Sequence, residues 1–129
     1  MERPTICIDL DGVLASWKHG TFDAIGPPVP GAIDFTQRLI ESYRIIIHTC
    51  RCTEELYSAD RAQLRLEIDM WLSAHGFAYD SIWIGQGKPL AIAYIDDRAV
   101  VCRPEHNDIA FQKVESKLLS LVEQEGGAT

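Results

Sequence analysis

Short, uninterrupted apolar runs alternate along this chain with longer stretches in which apolar residues recur every three or four positions. Thr5–Asp9 reads as a buried strand, because Ile6, Cys7 and Ile8 follow one another without the polar alternation of a half-wet strand. Residues 44–49 (RIIIHT), 81–84 and 91–95 predict three more short strands, and residues 100–102 a fifth. Between them, residues 31–43 carry Ile33, Leu39 and Ile40 at helical spacing behind Pro30. Ser58–His75 sets Leu64, Ile68, Trp71 and Leu72 on one stripe, with Gly76 as its stop. A last amphipathic helix is predicted over 107–122, leaving 123–129 as a frayed tail. Residues 15–30 hold three prolines, two glycines and Trp17, so 15–28 reads as an irregular excursion.

Strands alternating with helices predict an α/β fold, a parallel sheet of about five strands covered on both faces. No linker or repeat divides the 129 residues, which are expected to form one domain. Ligands of such sheets bind beyond the carboxyl ends of the strands, where the strand order reverses. The polar residues fall there. Asp9 closes the first strand, Thr49 the second, and Asp96 and Asp97 the fourth, while Lys88 lies in the loop leading into the fourth.

Composition narrows the partners. A formal net charge of −7 with no basic run argues against a general nucleic-acid or membrane surface. The start of the chain has no charged-then-apolar leader, and no apolar run approaches a membrane span. Cys7, Cys50, Cys52 and Cys102 lack the spacing of a disulfide framework. Cys7 and Cys102 sit in apolar runs and are expected as buried thiols of a cytoplasmic protein. Cys50 and Cys52 have no second ligand pair at zinc spacing.

Taken together, two aspartates one residue apart, a hydroxyl, a lysine and a second acidic pair specify a chemistry. Converging carboxylates repel one another unless a cation neutralises them, and a hard divalent ion with oxygen ligands, Mg²⁺, fits. Lys88 and Thr49 then leave room for an anion beside it, as phosphoryl transfer needs. Asp9 is the candidate nucleophile, attacking phosphorus to give an aspartyl-phosphate. Asp11 is the candidate acid and base, protonating the departing oxygen and later accepting a proton from water. Gly12 lets the backbone bend after it. Thr49 would hydrogen-bond a phosphoryl oxygen and Lys88 would stabilise transition-state charge. Asp96 and Asp97 would join Asp9 in holding the metal.

The order Ile-Asp-Leu-Asp-Gly-Val, Ile-Ile-Ile-His-Thr, Gly-Lys-Pro and Tyr-Ile-Asp-Asp resembles the four motifs of the haloacid dehalogenase superfamily of phosphohydrolases, from Ile6 to about Val101. The resemblance implies a three-layer Rossmann-like fold, Mg²⁺, and the backbone carbonyl of Asp11 as a further metal ligand. Val29-Pro30-Gly31-Ala32 and Ile95-Asp96-Asp97-Arg98 look like the deoxyribonucleotidase branch. Only 37 residues separate Asp11 from Thr49 and 38 separate Thr49 from Lys88, which leaves no room for the cap domain of many relatives. In capless members this implies an open site, for large substrates or with a cover supplied by another subunit of a homo-oligomer. Trp17, Lys18, His19 and Phe22 are then the nearest candidates for leaving-group contacts.

Some residues keep two readings. With Thr49 and Cys50, Arg51 either reaches the phosphate or pairs with a carboxylate. Trp17 and His19 either recognise the leaving group or close the core edge. His48 reads as a packed residue of the second strand. A signalling receiver domain uses the same parts, but there the acidic pair precedes the phospho-acceptor, and here it follows the lysine. Nucleotides and larger or sugar phosphates both stay open as substrates, and a catalytically silent phosphate- or metal-binding module is the alternative to an enzyme.

Overall fold

A computed structural model describes residues 2–16, 24–49, 58–84, 89–97, 99 and 101–127, with the backbone alone for 58–60 and 124–127. Along the described residues run β1 (Thr5–Asp9), α1 (Ala32–Leu39), β2 (Arg44–His48), α2 (Ser58–His75), β3 (Ser81–Trp83), β4 (Ala93–Ile95) and α3 (Ala110–Gly127). The four strands form one parallel sheet in the order β3-β2-β1-β4. From β1 the chain steps outward through β2 to β3, then crosses back to place β4 on the other side of β1. That reversal lies between β1 and β4, and ligands of such sheets bind at the carboxyl ends of the strands flanking it.

Register decides which side chains share a face. Ile6 pairs with Ile45 and Ala93, Ile8 with Ile47 and Ile95, and Ile47 with Ile82. All seven therefore lie on one face. Ile6, Ile8, Ile45, Ile47 and Ile82 form the core with Ala32 of α1 and Ile68 and Leu72 of α2, with Ala93, Ile95, Ile33, Leu64 and Trp71 packed at its margin. One core takes both helices because two right-handed crossovers in the same direction leave their helices on the same side of a sheet. On the opposite face Cys7 and Ile46 are also buried. The centre of the sheet is thus dry on both sides, which is why β1 and β2 lack polar alternation.

The buried Thr36 hydroxyl donates to the Ile33 carbonyl at 2.9 Å and accepts from the Ala78 amide at 3.1 Å, tying α1 to the segment before β3. Beside it, Gln37 Nε2 donates to the Gly76 carbonyl at 2.9 Å.

Several sequence expectations need correction. The described residues form four strands, not five. Val101 and Cys102 are irregular and exposed, and Val100 lies outside the described residues. Two apolar residues shortly before Pro104, whose nitrogen has no proton to donate, make a poor strand without a neighbour to bury them. Cys102 is accordingly an exposed thiol, while Cys7 is buried as expected. The first helix is shorter than predicted, ending at Leu39, where the Ile40 amide still bonds to the Thr36 carbonyl. The last helix begins later and runs through Gly127 rather than fraying at 123, since Glu123, Gln124 and Glu125 are good helix formers. Asn107 acts before that helix, its Oδ1 accepting from the Ile109 amide at 3.1 Å. The sequence predicts one domain; the chain divides into two compact units, residues 1–97 with the sheet, α1 and α2, and residues 98–129 with α3. No helix among the described residues is long and apolar enough to cross a membrane.

Candidate active site

Parallel pairing brings the acidic residues together. Because Ile8 pairs with Ile95, the next residues on each strand, Asp9 and Asp96, leave the sheet side by side on the face shared by Cys7 and Tyr94. Asp97 follows, and oxygens of the three carboxylates of Asp9, Asp96 and Asp97 lie within 4.8 Å of one another. A tight loop after β1 frames them. The Leu10 amide donates to the His48 carbonyl at 3.0 Å, and the Leu14 and Ala15 amides return to the Leu10 carbonyl at 3.0 and 2.9 Å. The Gly12 amide donates to the Ala15 carbonyl at 2.8 Å, closing the loop on itself. Gly12 has φ 91°, a left-handed conformation that glycine adopts without strain.

Crowding shows in the protonation of Asp9. Its carboxyl is raised from 3.8 to about 7, first by burial and then by the charge of Asp96, against a hydrogen bond from the Leu10 amide that lowers it. Asp97 and Asp11 add smaller upward pushes. At neutral pH such a group is only partly ionised. A divalent cation among the three carboxylates would reverse the balance, because positive charge favours the ionised form. The donor set is all oxygen with no nitrogen or sulfur, which suits Mg²⁺ and disfavours zinc.

Asp11 does not join the three-carboxylate cluster; it is buried, 2% exposed, in the loop after β1. Thr49, also buried, immediately follows β2, and Asp9 pairs in register with His48 on that strand. Lys88, Cys50 and Arg51, and the leaving-group candidates Trp17, Lys18, His19 and Phe22, lie outside the described residues.

His48, read from the sequence as a packed residue of the second strand, is half-buried there. It stands in register with Asp9 on one side and Trp83 on the other, so these three share one face at the carboxyl end of the sheet. Its odd offset from Ile45 and Ile47 turns it away from the helix-covered face. A groove of about 360 Å³ between α2 and β3, lined by Arg65, Asp69, Tyr79 and Asp80, opens where β3 begins and holds none of the candidate residues. Comparison with known protein families, with curated proteins and with solved structures gave no match.

Proposed function

We propose that this chain is a Mg²⁺-dependent phosphomonoester hydrolase of the haloacid dehalogenase type, on a three-layer Rossmann-like fold without a cap domain. The observation that carries this reading is the convergence of Asp9, Asp96 and Asp97 within 4.8 Å at the strand-order reversal, with Asp9 raised to about 7. Carboxylates held this close favour a cation, and a carboxylate beside a cation at a strand end suits attack on phosphorus.

Asp9, Asp96, Asp97 and the Asp11 carbonyl would hold Mg²⁺, which would supply charge neutralisation and favour the ionised form of Asp9 at neutral pH. Asp9 attacks the phosphorus in line with the ester oxygen, forming an aspartyl-phosphate as the P–O bond to the alcohol breaks. Asp11 gives its proton to the departing oxygen, and then takes one from the water that hydrolyses the acyl phosphate. Inorganic phosphate leaves and Asp9 is restored. Thr49 donates to a phosphoryl oxygen, with Cys50 and Arg51 beside it, and Lys88 balances the charge that develops on the phosphoryl group.

A turnover screen over nucleotides, sugar phosphates and phosphopeptides, with Mg²⁺ and with EDTA, tests the reading together with Asp9→Asn. Expected are Mg²⁺-dependent release of phosphate by the native protein and none by the folded Asp9→Asn variant. Near-native turnover by that variant would sink the mechanism. A folded, metal-binding native protein inactive on the whole panel would instead be a silent phosphate- or metal-binding module. A preference for nucleoside 5′-monophosphates would make it a 5′-nucleotidase.

A further inference from the structure

Asp9 has a different kind of neighbour on each side. Toward β4 stand Asp96 and Asp97, with carboxylate oxygens within 4.8 Å of its own. Toward β2 and β3 the register runs Asp9, His48, Trp83, one residue from each of three adjacent parallel strands. Residues in register on such strands point to the same face, and neighbouring strands lie about 5 Å apart, so Trp83 stands about 10 Å across the sheet from Asp9 with His48 between them. Two residues earlier on that face, Cys7 and Ile46 are buried. At this level Asp9 and His48 are half-buried and Trp83 is 38% exposed. The face therefore opens at its carboxyl end and toward β3, the edge strand. Ile82, one residue before Trp83, packs into the helix-covered core, so the indole is the side chain that β3 gives to the opposite face.

We infer that Trp83 is the specificity-determining residue of the site, a stacking platform for a flat aromatic or heteroaromatic ring carried by the alcohol of the substrate. This inference rests on the phosphohydrolase reading and names the substrate class that reading leaves open. The three carboxylates, and the cation they would hold, take up the β4 side of Asp9, where an apolar ring would find only charge. On the other side, an alcohol whose phosphoryl group sits at Asp9 passes His48 and reaches the indole after about 10 Å. A ring bonded directly to the ester oxygen falls short of that span, and a ring set off by a spacer the size of a sugar covers it. The indole offers a large flat apolar face. Stacking of a base on such a side chain strengthens binding about 5- to 150-fold, and an alcohol without a ring gains none of it.

The test compares adenosine 5′-monophosphate with ribose 5-phosphate, which share the phosphate, the ester carbon and the sugar and differ in the ring. With Mg²⁺, the native protein should favour the adenosine ester by about 5- to 150-fold in kcat/KM. Trp83→Val should bring that ratio close to one by slowing the adenosine ester alone. Turnover of ribose 5-phosphate then shows that the variant is folded and its chemistry intact, a control that a merely structural role for Trp83 would fail. Trp83→Tyr keeps a flat ring and should keep most of the preference; valine and tyrosine both suit a strand. Trp83→Leu, equally ringless, decides the matter should Trp83→Val not fold. A native protein that treats the two esters alike or favours ribose 5-phosphate, a preference that survives in the ringless variant, or an equal loss on both esters would overturn the inference. No turnover by the native protein on any substrate of the screen would instead defeat the phosphohydrolase reading, and this inference with it, so the two failures look different.

Discussion

Gly12 and Asp97 are packed backbone against carboxylate: a Cβ built on Gly12 would lie 2.7 Å from Asp97 Cγ. A Cβ there would force the Asp97 carboxylate to shift, so the glycine that turns the chain after Asp11 also makes room for a member of the acidic cluster. The β1 loop and the end of β4 are fitted to each other at this point.

Gly12→Ala should therefore act in two ways. The alanine must adopt a left-handed φ, which costs about 1–2 kcal/mol, and it must push the Asp97 carboxylate away from Asp9 and Asp96. Mg²⁺ affinity, measured by calorimetry, should fall roughly 10- to 100-fold. Gly31→Ala is the control. Gly31 has a similar φ of 87° but nothing within 4 Å of its would-be Cβ, so it should lose comparable stability and no Mg²⁺ affinity. Equal effects on Mg²⁺ in the two variants would show that the contact with Asp97 is irrelevant.

At the opposite end of the sheet, Asp80 ties together four segments. It accepts from the Ile45 amide at 2.8 Å and from Arg3 Nη2 at 2.8 Å, and Arg3 Nη1 also donates to the carbonyls of Ile40 and Tyr43. Burial pushes the Asp80 carboxyl up, but the hydrogen bonds from Arg3 and Ile45 and the charges of Arg3 and Arg44 outweigh it and hold the group below its ordinary value of 3.8. A depressed carboxyl contributes stability that is present above the unfolded value and lost as pH falls through the folded one. Asp80→Ala should cost about 1–3 kcal/mol in urea unfolding at pH 7, mostly by leaving the Ile45 amide unmatched. Arg3→Ala should cost under about 1 kcal/mol, because its ion pair is partly exposed. The gap between native protein and Asp80→Ala should narrow once pH drops below about 3.8; a gap constant down to pH 2 would contradict the assignment. Turnover should be untouched in both variants.

The strands were readable because their apolar runs are unbroken, and α2 because Leu64, Ile68, Trp71 and Leu72 recur on one stripe above a terminal glycine. Asp9, Asp96 and Asp97 were readable because each stands at the end of such a run, where side chains leave the sheet. Strand order was not. No local pattern states that β4 crosses back to lie beside β1, yet only that adjacency sets Asp9 next to Asp96. The neighbourhood of His48 with Asp9 was hidden for the same reason, since it depends on the pairing register. The fifth strand failed because apolar content alone marks residues 100–102, and nothing covers Val101.

Asp9 offers the sharpest test of the acidic cluster, through pH. Its folded carboxyl, at about 7, lies above the ordinary 3.8. A raised carboxyl contributes stability that is complete below the unfolded value and is lost as pH rises through the folded one. In EDTA the native protein should thus lose stability between about pH 4 and 7, and Asp9→Asn, which cannot ionise there, should lack that part of the slope. Mg²⁺ must displace the same proton. Its affinity should rise by nearly tenfold per pH unit up to about 7 and level off above, with net proton release on binding below that point. Calorimetry in two buffers of different ionisation enthalpy, at pH 6 and 8, measures both quantities. An affinity that is flat from pH 5.5 to 7, or unchanged by Asp9→Asn, would remove Asp9 from the metal site and with it the chief support for its role as nucleophile.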